Sequence, residues 1–441
     1  MSARLSRSWR DALATRRRLR TALVIVLALA ALYAAYRYTL HRMVEAKLDE
    51  IRKQGYPVTL TELDKWYAQP PPGENAADAY LDIFHHYAPQ GKPPYSERRR
   101  RIAEEEASET NAPPCAPVLH FHGSLDTNEV AAVASNAEAL ALLRKAPLAK
   151  ACRYPVDLTR PFDQRQMFHL SPIAKGHRLL TMEAMLRGDH GRTDLLAEDL
   201  EQSVALAQSL ANEPCTISQG LRLRCHNRTI GALERVVSKV SFSDNALVQL
   251  TTSLAAIDNP TYMRRALVGE RCDWYEVIRH TMPLITTVLL DCTGSQDRQL
   301  IGYLDGTDRV LDATRGDYPD GLHAATSLAA QLEGSHQNRF VADFIVELSG
   351  EYAQDAATCA DLRCAVAALA VERYRLAHSE LPQKLDGLVP FYLRAVPTDP
   401  FDGHPLRYKK LVKGYVIYSV CKDGKDDGGD EKKDITFTVE R

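Results

Sequence analysis

Sixteen consecutive uncharged residues, Thr21–Tyr36 (TALVIVLALAALYAAY), constrain this chain more than any other feature. Seven arginines precede them (Arg4, Arg7, Arg10, Arg16, Arg17, Arg18 and Arg20) against one acid, Asp11. As a helix the run reaches roughly 24 Å, a little short of a hydrocarbon core about 30 Å thick. Extension through Arg37 to Leu40 closes the gap, because an arginine at a helix end snorkels to the interface. Tyr33, Tyr36 and Tyr38 gather at the outer end, as an interfacial aromatic belt does. The expectation is a basic cytoplasmic tail over 1–20 and a transmembrane anchor over 21–40. The arginine bias then puts everything after the anchor outside, giving a single-pass protein of the inner (cytoplasmic) membrane with a periplasmic body. A cleaved signal peptide competes, since Ala28-Leu29-Ala30 is a tolerable cleavage site, and Arg16-Arg17 resembles a weak twin-arginine signal. The uncleaved signal-anchor is preferred because the helical pattern runs past residue 40 without a break.

The chain as a whole has the composition of ordinary globular protein. In 441 residues the hydrophobic fraction is 45% and the charged fraction 25%, enough for two or three buried cores and against extensive disorder. A net charge of −2 with no basic excess in the body argues against a nucleic-acid partner. All nine cysteines come after the apolar run, where export permits disulfides, and the odd count leaves at least one unpaired or intermolecular. There is no CxxC pair.

Helical signals dominate residues 41–355, the expected exported helical body. A helix over 37–54 stops at Gly55 and Pro57. Thr59 and Glu62 form a capping-box pair for a short helix to Tyr67. Another helix is expected from Asn75 to Tyr87, and a surface excursion with one charged helix over 89–117. Apolar residues then recur at three- and four-residue spacing in Val130–Lys145, Ser171–Arg187, Thr193–Ala211, Ile217–Val240, Asp244–Ile257 and Thr261–Thr281. Connectors such as Gly188–Gly191 and Ser241–Ser243 are short, which favours antiparallel hairpins. These are either helical repeats with a concave docking face or a plain bundle. The lengths suit tetratricopeptide-type hairpins, without that consensus or a fixed period. Leu300–Asp312, His323–Leu332 and Asn338–Leu348 also read as helices.

The character changes over 356–441, where a small α+β module is expected. Ala360–His378 is a helix with an apolar stripe, leading to Leu381-Pro382 and a short turn at Leu385–Val389. A proline-braced loop, Val396-Pro397-Thr398-Asp399-Pro400-Phe401-Asp402-Gly403, comes next. Strands are expected at Leu406–Lys410, Tyr415–Val420 and Ile435–Val439, the second apolar on both faces. The fold class is therefore mainly α, with a transmembrane helix, a helical hairpin or bundle body and a C-terminal domain with an antiparallel sheet.

That ordered series resembles the globular domain of the major pseudopilin of type II secretion systems. It comprises a helix ending near Tyr374-Arg375, Leu-Pro, Leu-Asp-Gly-Leu-Val and Asp-Pro-Phe-Asp-Gly before a strand. Gly-Tyr-Val-Ile-Tyr-Ser, Asp423-Gly424, Gly428-Gly429 and Asp434-Ile435 complete it. The match covers about 80 residues, under a fifth of the chain. In that family the last loop binds calcium, which implies Asp423 and Asp434 as the leading side-chain ligands here. Asp426 or Asp427 would come next, with a carbonyl near Ser419 or Val420. The residues permit this by themselves, since calcium takes six to eight oxygens and this loop is rich in acids and glycines. Counted from Asp423, acids fall at positions one, five, nine and twelve with glycine at six. Lys425 at position three and strand-like flanks rule out an EF-hand. Four interleaved lysines (Lys422, Lys425, Lys432 and Lys433) equally suit a metal-free, solvated turn.

The chain also departs from that family. It has no Gly-Phe-Thr-Leu-Ile-Glu-like peptidase site, and more than 300 residues separate the anchor from Ala360. Polymerisation through a helical stem is therefore not expected. Gly55-Tyr-Pro-Val-Thr-Leu-Thr-Glu-Leu with Asn75-Ala76-Ala77 resembles long envelope proteins of planctomycete-like bacteria, which implies no activity.

Other chemistry is sparse. His120-Phe121-His122 has the spacing of a metal-binding pair on a strand but lacks a third ligand. His85-His86 suits a helix C-terminus. Cys359 and Cys364, five apart on a helix, lie on different faces and are not expected to pair. No GxSxG, HExxH, P-loop or GxGxxG occurs. The expected role is non-enzymatic: an interaction or scaffold component whose partners are envelope proteins, secretion components among them. The alternative is a hydrolase-like envelope enzyme with its site in a groove of the helical body.

Overall fold

The computed structural model describes residues 2–88, 121, 123–146, 151–281, 294–333 and 339–441. The charged helix expected over 89–117 and the His120/His122 pair lie outside them. Helix α1 (Ser2–Lys53) is continuous, so the expected anchor and the helix over 37–54 are one element. Its two apolar stretches differ in surroundings. Val26 and Leu32 are 60% and 68% exposed, whereas Val44 and Ile51 are fully buried. The buried positions, Leu40, Val44, Leu48 and Ile51, recur at helical spacing and form one stripe against the body. The exposed stretch is long and apolar enough to be a membrane anchor or a signal sequence.

Beyond Gly55 the chain turns into α2 (Leu60–Trp66), where the Thr59–Glu62 capping box forms as expected. Then come α3 (Ala76–Phe84), α4 (Thr127–Ser135), α5 (Ala137–Arg144), α6 (Leu170–Asp189), α7 (Leu196–Gln208) and α8 (Thr216–Val237). The chain continues with α9 (Asp244–Ala255), α10 (Thr261–Glu276) with a π-helical turn at Val277–Thr281, α11 (Ser295–Ala313), α12 (Asp320–Glu333) and α13 (Arg339–His378). Helices α6, α7 and α8 pack on one another as the short connectors imply. Gly269 marks a very close backbone approach, since a Cβ there would overlap the Pro214 carbonyl.

Two boundaries differ from expectation. The helix expected over Val130–Lys145 is broken at Asn136, which leaves helical geometry and accepts a hydrogen bond from the Ala88 N–H at 2.9 Å. The helices expected at Asn338–Leu348 and Ala360–His378 are a single 40-residue helix. Gly350 falls between them and is tolerated without a break.

Helix α13 is the spine. Its first half, with Phe344, Leu348 and Tyr352, belongs to a core shared with the end of α1, α10, α11 and α12. Its second half, with Leu362, Leu369 and Val371, belongs to a core shared with α2, α3, α6, α7, α8 and the sheet. The module boundary expected at residues 355/356 thus falls inside one uninterrupted helix.

After a 3₁₀ turn at Leu385–Leu388, strands β1 (Arg407–Lys410), β2 (Tyr415–Ser419) and β3 (Ile435–Val439) form an antiparallel sheet in the order β1-β2-β3. Every residue of β2 is buried, as its two-sided apolarity anticipates. Tyr415 reaches across to α13, donating its hydroxyl to the Ala368 carbonyl at 3.1 Å and to Glu372 at 2.9 Å. The outer edge of β3 is covered by α8, where Glu234 accepts the Thr438 N–H at 2.6 Å and Ser238 the Glu440 N–H at 3.2 Å. Covering an edge strand in this way blocks sheet extension.

Candidate functional site

Strand β2 leads into the acidic loop through Cys421, which is disulfide-bonded and has φ of +57°. Gly424, Gly428 and Gly429 supply the other left-handed positions. Within this frame the four expected ligands separate into two kinds. Asp423, Asp426 and Asp427 are occupied locally. Asp423 accepts the Lys425 N–H at 3.1 Å, and Asp426 accepts the Gly428 N–H at 3.0 Å and the Tyr418 hydroxyl at 3.1 Å. Asp427 pairs with Lys433 at 2.8 Å. Asp434 differs, being 1% exposed. Its Oδ2 accepts the Gly429 N–H at 2.8 Å, while Oδ1 is buried with no partner among the described residues. Burial pushes the Asp434 carboxyl above its ordinary value, against the pull of backbone N–H groups from Gly429, Asp427 and Asp430. Among the described residues no three His, Cys, Asp or Glu side chains are gathered in a metal-holding group. The carboxylates are in one loop but not in one shell.

The start of the loop is fixed by a residue that sequence reasoning passed over. Asp399, fully buried, accepts the Phe401 and Val420 N–H groups at 2.9 Å, the Ser419 hydroxyl at 2.8 Å and Arg407 at 2.7 Å. It ties the proline-braced loop to the end of β2. An acid between two prolines was the available signal, since such a rigid loop presents a side chain in one direction.

A second polar concentration lies in the body, between α8, α13 and the turn at 257–260. Arg222, His226, Asp258, Tyr318, Asp355 and Cys359 line a cavity of about 20 Å³, room for about one water. Tyr318 donates to Asp355 at 2.8 Å, and Arg222 lies 3.5 Å from the same carboxylate. Cys359 donates to Asp258 at 3.1 Å, and Arg363 pairs with Asp258 at 2.8 Å. Both ring nitrogens of His226 lack a hydrogen-bond partner among the described residues. Burial pulls its imidazole well below the ordinary value, with Arg222 and His177 adding to it. Burial likewise pushes the Cys359 thiol well above its ordinary value, the adjacent Asp258 carboxylate reinforcing it. A thiol held protonated in so small a cavity does not suit nucleophilic chemistry. Cys359 and Cys364 are both free, as their spacing on the helix requires.

The closest approach to a catalytic array elsewhere is also structural. Glu213 accepts Ser218 at 2.7 Å and lies 3.0 Å from His169, so the serine bonds the acid and not the imidazole. All three are buried, His169 just before α6 and Glu213 and Ser218 about the start of α8. His85 and His86 fall just past the end of α3, as expected, and His86 also lies 3.2 Å from Glu138. Between the end of α8 and β3 runs a shallow polar groove of about 380 Å³, lined by Glu234, Arg235, Lys239, Glu431 and Glu440 among others. No protein-family model matches this chain, and neither do any curated protein or solved structure.

Proposed function

We propose that this protein is a membrane-anchored scaffold of the bacterial envelope. Helix α1 spans the cytoplasmic membrane with the arginine-rich end inside. It holds a helical body and a pseudopilin-like head in the periplasm as a docking component for other envelope or secretion proteins. The observation that carries this reading is α1 itself, whose apolar stretch is wholly exposed and runs without a break into a buried stripe. The disulfide at Cys421 agrees with an oxidising compartment. The buried polar cluster, with its protonated thiol and water-sized cavity, favours docking over an envelope hydrolase. The test is proteolysis of intact and outer-membrane-permeabilised cells carrying a C-terminal epitope, then carbonate extraction and cross-linking in native membranes. Expected are a body cleaved only after permeabilisation, an anchor that resists extraction, and reproducible envelope partners. A body protected from protease or released by carbonate overturns the topology, and an uncross-linked body overturns the scaffold.

A second reading concerns the loop from Cys421 to Asp434. We propose calcium as its ligand on the strength of Asp434 Oδ1, a buried carboxylate oxygen without a partner among the described residues. The other three acids fit a shell less well, since each already holds a local partner. A midpoint of thermal unfolding that rises with calcium and falls with chelator supports the proposal, because a ligand specific to the native state stabilises it. Equal midpoints overturn it.

A further inference from the structure

We infer that the end of the body beside α1 residues 36–45 is itself a lipid-contacting surface, resting on the headgroups of the bilayer that α1 spans. The inference depends on the proposed role of α1 as an anchor. The exposed apolar run ends at Tyr36, and α1 is already packed on the body there, with no linker between. Gly294, at the start of α11, packs so closely against Tyr36, Arg37 and Leu40 that a Cβ would sit 2.8 Å from Leu40 and 3.2 Å from Tyr36. Arg37 bonds Asp297 in the first turn of α11 at 3.0 Å, and Arg279 of the π-helical turn approaches the same carboxylate at 3.6 Å. Asp297 is buried, so these contacts clamp α1 to the body at the level where the anchor leaves the hydrocarbon. A continuous helix clamped at its exit cannot swing its cargo away from the membrane.

The charge pattern matches an anionic surface. Among the described residues, Arg37, Arg42, Arg279 and Arg298 lie around the exit with Glu45 and Asp297, and Arg42 and Arg298 are exposed. The next acids along α1, Asp49 and Glu50, come twelve residues or more beyond Arg37, roughly 18 Å farther from the membrane. Tyr33, Tyr36 and Tyr38 are 45%, 40% and 65% exposed on the same stretch. Asp297 is buried beneath Arg37 and Arg279 and takes up their charge. That leaves the exposed Arg42 and Arg298 beside the tyrosine rings at one level, the arrangement that phosphate headgroups favour.

The test places a photoreactive benzophenone side chain at one of three positions in the full-length chain, in nanodiscs of phosphatidylethanolamine and phosphatidylglycerol. Position 29 lies in the anchor, position 298 on the inferred surface, and position 412 in the fully exposed β1–β2 turn of the other core. Lipid adducts, read as a mass shift after irradiation, are expected at 29 and 298 and not at 412. An adduct at 29 without one at 298 overturns the inference and leaves the anchor standing. No adduct at 29 overturns the anchor reading itself, and equal adducts at all three positions remove the claim of a specific surface.

Discussion

The body and the acidic loop both concentrate charged side chains, but they satisfy them in opposite ways. The body has local surface pairs such as Arg160–Asp157, but the buried pairs of Arg165 and Arg222 join residues far apart in sequence. Arg165 grips Asp273 through two bonds of 2.6 and 2.8 Å across 108 residues, and Arg222 faces Asp355 across 133. Asp199 of α7 pairs with Arg144 of α5 at 2.6 Å. In the loop every carboxylate other than Asp434 is exposed or half-buried, and the hydrogen-bond partners of Asp423, Asp426 and Asp427 lie two to eight residues away, with Arg407 a looser 3.9 Å from Asp426. The body's distant pairs exist only when tertiary packing is complete, so they specify that packing. The loop's contacts form locally and demand little of the rest of the chain. The same residue types are thus structural keys in one region and solvated turn formers in the other.

The sharpest way to break this contrast is Asp273→Ala. It leaves the Arg165 guanidinium uncompensated beside Cys215 and the Leu158 carbonyl, at a cost of about 3–5 kcal/mol. Urea unfolding of the full chain in detergent, monitored by helical circular dichroism, should show that loss. Replacing both partners together, Arg165→Met with Asp273→Leu, should recover most of it. Equal losses in the single and double variants would show that the energy lies elsewhere than in the pair.

A smaller effect is expected from Glu270 on α10, which accepts Thr216 at 2.8 Å and Trp274 at 3.2 Å. Burial raises this carboxyl from an ordinary 4.5 to about 7, with Asp273 adding and the two donors opposing. Between those values the folded protein keeps a proton that the unfolded chain has lost. This group's contribution to stability therefore falls as pH rises through that window. Glu270→Gln should flatten that part of the stability profile, between about pH 5 and about pH 7.5. An unchanged slope would mean that Glu270 is already ionised at the lower pH.

The contrast also explains what was legible in the sequence. Local signals were readable: the Thr59–Glu62 capping box, the stop at Gly55, the three strands, and an apolar run too long and bare for a soluble surface helix. The break at Asn136 was not, because apolar spacing continues through Val133, Leu140 and Leu143 while the breaking contact comes from Ala88. Nor was the continuity of α13, where Gly350 and a change of composition suggest two helices. An exposed glycine in a helix costs only about 1 kcal/mol, which the cores on both sides outweigh. In the loop the acids were evident, but which of them faces inward was not. Asp434 is buried because Ile435 begins a central-facing strand one residue later, a consequence of sheet packing. Arg165 and Asp273 were missed since nothing near them in sequence announces a distant partner, whereas Asp399 had a signal in its flanking prolines that gave no hint of which groups it holds.

The smallest effects separate a metal site from a solvated turn within the loop itself. Without calcium, Asp427→Asn should leave the unfolding midpoint where it was, because an exposed pair with Lys433 contributes little. Asp434→Asn, also without calcium, should be neutral or slightly stabilising. The amide keeps an oxygen for the Gly429 N–H and removes a charge that burial disfavours, against the cost of an NH2 group standing where the unpartnered oxygen was. With calcium the order should reverse: Asp434→Asn should abolish whatever rise calcium gives, since an amide supplies neither the charge nor the second acceptor oxygen that a hard cation takes. If Asp434→Asn destabilises equally with calcium and with chelator, the carboxylate serves the fold of the turn alone, and the loop joins the body as a purely structural use of charge.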